Sequence, residues 1–303
     1  MASRLGYNQL EEFAKLFKRS SFSGLRVYIQ SLLMARKIIP TTFDIWVDSP
    51  KNPKLAAVLT NETCYRMHQP VAHIFADTNI HKDALGEFLS NISYPWDQNM
   101  QFDQIGYKHP YDSLESFYSN RSSRFGPDDY SEVQLFDPRT PSGSIPFTGT
   151  LQSGFRLDKL TLKDVDFVNN TWKYNLGDET AERIGFWIEY LPSSCIRDPN
   201  GKCVAHAACT DWGSIGLVYT DPLYRRSKFA SIVVEDCTRK MLDLHLDCAV
   251  YCQVVQKNRP SWNMFTRLGW KNADSDVIFA VNAVDQQSAA YNLIKSDVLK
   301  AAN

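Results

Sequence analysis

The chain has 303 residues, of which 44% are hydrophobic and 13% aromatic, and its formal net charge at pH 7 is −1. This length and apolar content predict a globular protein with room for two domains, and the balanced charge argues against a nucleic-acid-binding or membrane-surface protein. The apolar runs are too short to cross a bilayer, and Glu11 and Glu12 interrupt a basic N-terminal segment that would otherwise suggest a transit peptide.

The cysteines are odd in number and include no Cys-x-x-Cys pair. Most of the seven lie inside apolar runs, at positions 64, 195, 203, 209, 237, 248 and 252. We interpret them as buried free thiols in a reducing, intracellular compartment, and we expect no metal site.

The first 137 residues predict a mixed α/β domain. Helical spacing of apolar residues covers 8–19 and 82–92, and 112–118 is a further predicted helix. Strands are predicted from β-branched and aromatic content at 25–33, 43–47, 56–59, 71–76 and 132–136, although 32–39 is equally compatible with a helix. The histidines of this half lack metal or triad spacing, which favours structural roles for His68, His73, His81 and His109.

Residues 138–150 are rich in proline, serine and glycine. We interpret them as a linker between an N-terminal domain, 1–137, and a C-terminal domain, 151–303. After the linker, the pattern predicts the order β, α, α, β, β, β, α, β, α, β. The first nine of these elements fall at 155–162, 163–172, 179–190, 194–197, 203–209, 214–220, 225–244, 248–255 and 258–270.

The C-terminal domain is organised around residues 213–230, GSIGLVYTDPLYRRSKFA, which predict a strand, a turn at Pro222 and a helix. We expect Arg225, Arg226 and Lys228 in the first turn of that helix, where the helix dipole is already positive. Unpaired backbone N–H groups beside basic side chains form a phosphate site. Taken alone, the pattern is also compatible with a solvated helix end.

A second segment, NRPSWNMFTRLGW at 258–270, predicts a short helix that begins at Pro260 and stops at Gly269. Together the two segments resemble the acyl-CoA-binding half of the GNAT superfamily of N-acyltransferases. The family pattern Gln/Arg-x-x-Gly-x-Gly/Ala is matched by 225–230, with Lys228 in place of the central glycine. The later pattern, Asn-x-x-Ala-x-x-Leu-Tyr-x-x-x-Gly-Phe, is matched at Asn258, Ser261, Met264, Phe265, Gly269 and Trp270.

A narrower resemblance, to the glycine N-acyltransferase-like group, comes from Trp172, the Glu-Arg pair at 182–183, Asp-Trp-Gly at 211–213 and Tyr-Thr-x-Pro-x-Tyr-Arg at 219–225. It covers nearly the whole chain, strongly after about residue 150 and loosely before it. It implies a GNAT acyltransferase fold in the C-terminal domain, preceded by a smaller GNAT-like mixed α/β domain. It also implies acyl transfer from acyl-CoA to the amine of glycine or a related amino acid, often in mitochondria, with a cytoplasmic location as the alternative.

The same resemblance assigns CoA contacts to two parts of the chain. The backbone of Leu217, Val218 and Tyr219 would bind the pantetheine arm as an added strand does. The diphosphate and the rest of the CoA would contact Arg225, Arg226, Ser227, Lys228, Phe229, Ala230, Asn258 and Phe265. A lysine at position 228 would help neutralise phosphate if its backbone stays helical, whereas a positive φ there would strain it.

Aminolysis of a thioester requires a group that takes the proton of the attacking amine. In the resembling enzymes a glutamate follows a glycine on the fourth strand, whereas Ser214 follows Gly213 here. Serine cannot hold the proton but can position a water, with Asp211 or His206 as the acceptor. A turn role for Asp211 and a structural role for His206 are the favoured alternatives. Phe265 replaces the tyrosine that protonates the leaving thiolate in many GNAT enzymes, which leaves water, Tyr219 or Tyr224 for that step.

Three functions stay open on these residues. We favour an acyl-CoA-dependent N-acyltransferase acting on a small amine or amino acid, because proximity of the two substrates supplies much of the catalysis even without a strong base. The alternatives are a non-catalytic acyl-CoA-binding module and an acetyltransferase for a protein or polyamine amine. We expect a monomer that binds no nucleic acid.

Overall fold

The computed structural model describes residues 2–6, 9–10, 43–61, 70–76, 80–106, 109–119, 121, 124–136, 151–175, 177–244 and 250–283. The chain divides into two compact units. Of the described residues, those from 2 to 132 and from 274 to 283 belong to the first unit, and those from 133 to 273 to the second. The predicted linker, 138–150, and the predicted elements at 25–33 and 32–39 lie outside the described residues, so the domain boundary stays a prediction. Of the predicted helix at 8–19, only Gln9 and Leu10 are described, and both are helical.

The described strands and helices are numbered in chain order. The strands are β1 (Ser3–Arg4), β2 (Phe43–Val47), β3 (Leu55–Thr60), β4 (Val71–Ala76), β5 (Met100–Gly106), β6 (Arg124–Phe136), β7 (Arg156–Asp158), β8 (Ser193–Arg197), β9 (Cys203–Cys209), β10 (Ile215–Thr220), β11 (Val250–Val255) and β12 (Lys271–Ala283). The helices are α1 (Lys82–Ser90), α2 (His109–Ser119), α3 (Val165–Thr171), α4 (Asp178–Tyr190), α5 (Phe229–Leu244) and α6 (Arg259–Arg267).

The first unit is a mixed sheet in the order β1-β2-β3-β4-β5-β12, with α1 and α2 packed against it. Neighbouring strands are antiparallel except for β4 and β5, which run parallel. The core lies between the sheet and the two helices, where Leu85, Leu89 and Phe102 are fully buried. Burial alternates along β2: Phe43, Ile45 and Val47 are buried on one face, and Trp46 on the other face packs against this core.

Most predicted elements of this half are present, and β2 and β4 have the predicted bounds. Strand β5 was not predicted, because its sequence MQFDQIG mixes polar residues into the alternation. It is a strand because it completes the sheet between β4 and β12. Tertiary pairing thus overrides a weak local propensity here.

The second unit contains an antiparallel sheet in the order β10-β9-β8-β7, and β11 next to β6. Helix α5 covers one face of β9, where the Sγ atoms of Cys209 and Cys237 lie 3.5 Å apart. The other face carries α3, which contacts β9 through Thr171 and His206. The apolar side of α5 is buried at residues including Ile232, Val233 and Met241, whereas Leu244 at its end is exposed.

The predicted order of ten elements after the linker is confirmed as β7, α3, α4, β8, β9, β10, α5, β11, α6 and β12. The first strand is shorter than the predicted 155–162, because a 3-10 turn begins at Leu162 before α3. The described cysteines (195, 203, 209, 237 and 252) are free and buried, as predicted. None of the helices in the described part of the chain combines the length and apolar character that a membrane-spanning helix requires.

Candidate functional site

The strands β10 and β11 diverge in the second unit. They belong to different sheets, and the bridge recorded between them joins Ser214 to Tyr251 in parallel orientation. The Tyr251 hydroxyl donates a hydrogen bond of 2.8 Å to the carbonyl of Trp212, which fixes the end at which the strands meet. Beyond this bridge the facing strand edges are available to an extended ligand.

Strand β10 carries a bulge along that edge. Gly216 pairs with Ala208 and Tyr219 with His206, so two residues of β10, Leu217 and Val218, face one residue of β9. Leu217 has φ of 52°, a left-handed conformation that is uncommon for a bulky residue. A bulge leaves its extra residue out of the ladder and re-aims the neighbouring backbone groups. These are the residues predicted to bind the pantetheine arm.

Helix α5 begins at Phe229, so the prediction that Arg225, Arg226 and Lys228 lie in its first turn was wrong. The helix cannot begin earlier because Arg226 and Lys228 have φ of 68° and 63°. Their three side chains are exposed in the loop before the helix, and Ser227 is half-buried there. No described residue accepts a hydrogen bond from the amides of residues 228–230. Bare amides beside exposed cations are suited to an anionic ligand.

Lys228 also departs from the predicted helical backbone. Its left-handed conformation is the one that glycine adopts without strain, and glycine is the residue that the family pattern places there. A left-handed conformation costs a lysine on the order of 1–2 kcal/mol. The backbone at position 228 is therefore not helical, and lysine in place of the family's glycine is strained there.

Asp211 is 3% exposed, and two residues of the preceding helix, α4, contact its carboxylate. The indole nitrogen Nε1 of Trp187 donates to its Oδ1 at 2.9 Å, and Nη2 of Arg183 lies 3.7 Å from the same oxygen. The guanidinium carbon of Arg183 lies 5.0 Å from the ring centroid of Trp187 and 4.6 Å from that of Trp212. Arg183, Trp187 and Asp211 thus form one buried polar cluster on α4 and the turn after β9.

His206 is 1% exposed on the α3 face of β9. Its ring stacks on Tyr219 at 5.5 Å, and its Nε2 lies 3.2 Å from the Thr171 hydroxyl. The other nitrogen, Nδ1, is buried and has no hydrogen-bond partner within the described part of the chain. Burial lowers the pKa of His206 to about 4, against 6.5 for a free histidine, so the ring is neutral at pH 7.

Ser214 is 4% exposed, and its hydroxyl is 3.0 Å from that of Thr210. Among the described residues, no hydrogen bond joins the three predicted catalytic residues, Ser214, Asp211 and His206, to one another. The side chains that contact these three residues are those of Thr210, Arg183, Trp187 and Thr171. Of these four, Arg183 had been noted in sequence, but only as part of a family resemblance and with no role.

The two residues predicted on α6 have local structural partners. Asn258 is the N-cap of α6, and its side chain accepts a hydrogen bond from the Ser261 amide at 3.3 Å. Phe265 is 3% exposed and packs edge-on against Trp270 at 4.9 Å. Tyr224 stacks on Phe229 at the start of α5. No group of three or more His, Cys, Asp or Glu within the described residues has metal-site spacing.

Comparison with known proteins gives matches of three kinds. Residues 165–270 match the family model described as "Acetyltransferase (GNAT) family". A mouse "Glycine N-acyltransferase-like protein" is 32% identical over 84 residues. This match covers 27% of the chain and only 28% of the mouse protein.

Solved structures share the fold along almost the whole chain. A Drosophila protein of known crystal structure superposes with a TM-score of 0.77 at 14% identity, covering 93% of this chain and 98% of its own. A GCN5-related N-acetyltransferase from Sphaerobacter thermophilus gives 0.52 at 11% identity, with 94% and 95% covered. A GCN5-related N-acetyltransferase-like protein from Streptococcus suis gives 0.50 at 15% identity, with 91% and 98% covered. Residues 165–270 are thus similar to the GNAT acetyltransferase family, and the solved structures share the mixed α/β fold of the chain.

Proposed function

We propose that this protein is an acyl-CoA-dependent N-acyltransferase whose acceptor is the amine of glycine or a related amino acid. The observation that carries the proposal is the opening between β10 and β11 beside the bare amides at the start of α5. The match of residues 165–270 to the GNAT acetyltransferase family model supports acyl transfer to an amine. The partial likeness to the mouse protein supports an amino-acid acceptor. A mitochondrial location and a monomeric state stay predictions.

The residues present fit a CoA thioester. The bulged edge at 217–219 offers backbone hydrogen-bond groups to an extended arm with two amides. The amides of residues 228–230, together with Arg225, Arg226 and Lys228, offer N–H donors and positive charge to a diphosphate. Bound in this way, the thioester supplies an activated acyl group.

The reaction forms a C–N bond between the acyl carbon and the amine and breaks the C–S bond of the thioester. The attacking nitrogen loses one proton as it becomes an amide nitrogen. We assign proton acceptance to Asp211 or His206, through a water that Ser214 positions; His206 lies on β9, and Asp211 and Ser214 lie in the turn after it. His206 is neutral at pH 7, but burial lowers its pKa to about 4, so it accepts a proton less readily than a free histidine does. The departing thiolate takes its proton from water or from a tyrosine hydroxyl at 219 or 224.

The alternative is a non-catalytic acyl-CoA-binding module. It is favoured by Ser214 and Phe265 at the positions where many GNAT enzymes carry a glutamate and a tyrosine. Both proposals share the CoA site, and they differ in whether a thiol is released.

Two measurements test these proposals in sequence. CoA should raise the melting temperature of the protein, and Arg226→Glu should abolish the rise. Arg267→Glu, the same charge change at the far end of α6, is the matched control and should keep it. Free thiol should then appear when acyl-CoA is mixed with glycine or another amino acid. CoA binding without thiol release across a broad acceptor panel would favour the binding module, and no stabilisation by CoA would contradict both.

A further inference from the structure

The carboxylate of Asp211 does not serve the turn in which the residue lies. Turn aspartates accept hydrogen bonds from backbone amides a few residues ahead. Asp198 accepts from the amides of Asn200 and Lys202, and Asp221 accepts from that of Leu223. Among the described residues, Asp211 accepts no backbone hydrogen bond. A turn role therefore does not account for this buried carboxylate.

The two oxygens of Asp211 are used differently. Oδ1 receives the Trp187 indole N–H at 2.9 Å and faces the Arg183 guanidinium at 3.7 Å. Oδ2 accepts no hydrogen bond from the described part of the chain. A buried carboxylate ordinarily satisfies both oxygens. An anchored oxygen beside an unused one is the arrangement that a proton acceptor requires.

Arg183 and Trp187 are themselves held rigidly. Both lie on α4, one helical turn apart, and Trp187 is fully buried. The planar guanidinium lies between the rings of Trp187 and Trp212, which meet at 90°. Arg183 is 7% exposed, so its charge acts on Asp211 with little solvent screening. The cluster fixes the orientation of the carboxylate.

The cluster is connected to the end of the opening at which β10 and β11 meet. Trp212 follows Asp211, and its carbonyl accepts the hydrogen bond from Tyr251 on β11. Ser214, whose bridge to Tyr251 closes that end, follows three residues after Asp211. A shift of the carboxylate would therefore be transmitted to the strands that line the opening.

We propose that Trp187 and Arg183 are positioning residues that hold Asp211 as the group accepting the proton of the attacking amine. The proposal rests on the proposed N-acyltransferase function. As the C–N bond forms, the nitrogen proton passes to Oδ2, directly or through one water, and is then lost to solvent. The C–S bond breaks in the same reaction and releases the thiol. Trp187 and Arg183 contact Asp211 and act only through it.

The test is a double-mutant cycle on the full chain, followed by thiol release at saturating acceptor. Trp187→Phe keeps an aromatic ring and removes the N–H donor. We expect it to lower kcat at least tenfold while KM for acyl-CoA changes less than twofold, since a positioned general base contributes roughly 10²–10⁴-fold. Asp211→Asn should lower kcat further, and adding Trp187→Phe to it should cause no additional loss, because the group being positioned is already absent.

Trp172→Phe is the matched control, because its ring contacts Trp187 at 6.1 Å but donates no hydrogen bond to Asp211. It should keep the kcat of the unaltered protein. Should Trp187→Phe fail to fold, Arg183→Lys replaces it in the same cycle, with the same expected results. A kcat unchanged by Trp187→Phe, or additive losses in the cycle, would overturn the positioning role alone. No thiol release by the unaltered protein would overturn the proposed function and this inference with it.

Discussion

Two left-handed residues determine the shape of the loop at 225–228 before α5. Arg226 and Lys228 have positive φ, so the helix that begins at Phe229 cannot extend towards the N-terminus through them. The amides that follow are left uncapped. Lys228 is strained, and its side chain also places a positive charge where a diphosphate is proposed to bind. Strained residues of this kind are concentrated at ligand sites, where the rest of the structure compensates their cost.

Replacing Lys228 with glycine separates these two effects. We expect Lys228→Gly to raise the free energy of unfolding without ligand by about 1 kcal/mol, because glycine adopts positive φ without strain. The same variant should bind CoA more weakly, because it lacks the ammonium group. Urea denaturation and calorimetric titration measure the two quantities. Ser227→Gly, at a neighbour without positive φ, should not stabilise, and a destabilised Lys228→Gly would contradict the strain.

His206 predicts a pH dependence of stability. Its pKa is about 4 in the folded chain and 6.5 as a free side chain. Between pH 6.5 and 4 the histidine is therefore mostly protonated in the unfolded chain and mostly neutral in the folded chain. Stability should therefore fall as pH decreases from 6.5 towards 4, by about 2 kcal/mol at pH 5. His206→Gln should remove this part of the slope in urea denaturation at pH 7.5 and 5. Equal slopes for the two proteins would show that burial of the neutral ring is not responsible.

Sequence patterns predicted the residue types of the site better than their conformations. The cations at 225–228 were found from composition, but their left-handed backbone depends on the turn after β10 and has no local pattern when lysine replaces glycine. The partners of Asp211 come from α4, 24 residues away in the case of Trp187. Such a contact is produced by packing and leaves no spacing in the sequence.

At the scale of elements, one buried arginine ties three segments of the second unit together. Arg197 on β8 donates through Nε to Asp158 on β7 at 2.8 Å, and through Nη1 and Nη2 to Asp164 before α3 at 3.0 and 2.8 Å. The hydrogen bond from Arg197 lowers the pKa of Asp158. Burial alone would raise the pKa of Asp164, but hydrogen bonds from Arg197 and Thr161 outweigh it and lower the pKa.

Removing this arginine should destabilise the unit strongly. Arg197→Met leaves Asp164 buried without its cation, which costs about 3–5 kcal/mol at pH 7. Because the folded pKa values of both aspartates are lowered, the stabilisation is complete above the unfolded value of 3.8 and is lost as pH falls below it. Arg156→Met removes an exposed contact to Asp158 at 3.7 Å and should cost less than about 1 kcal/mol. Equal losses in denaturation would contradict the network.

The spacing of apolar residues made most elements of the second unit predictable. Strand β9 has the predicted bounds, 203–209, and all seven of its residues are buried. The bulge in β10 was not predicted. It depends on pairing with β9, since Leu217 and Val218 have ordinary strand propensities and nothing local marks an extra residue. The divergence of β10 from β11 likewise arises from long-range pairing.

At the scale of the molecule, the first unit contains the same order of strands and helices as the second, but its two corresponding strands pair with each other. The order β4, α1, β5, α2 parallels β10, α5, β11, α6. However, β4 and β5 pair with each other from Val71 to Ile74, whereas β10 and β11 diverge after their bridge. The start of α1 is capped by His81 and carries Asp83 in its first turn, which disfavours an anion. Among the described residues, the features of the proposed CoA site are therefore present in the second unit and not in the first.

Calorimetric titration of CoA into the full chain tests this account most directly. We predict one CoA bound per chain, with binding abolished by Arg226→Glu in the second unit and retained in Asp83→Lys, which reverses the charge at the corresponding helix start of the first unit. No binding by the unaltered chain, or binding that survives Arg226→Glu, would contradict the proposed site between β10 and β11.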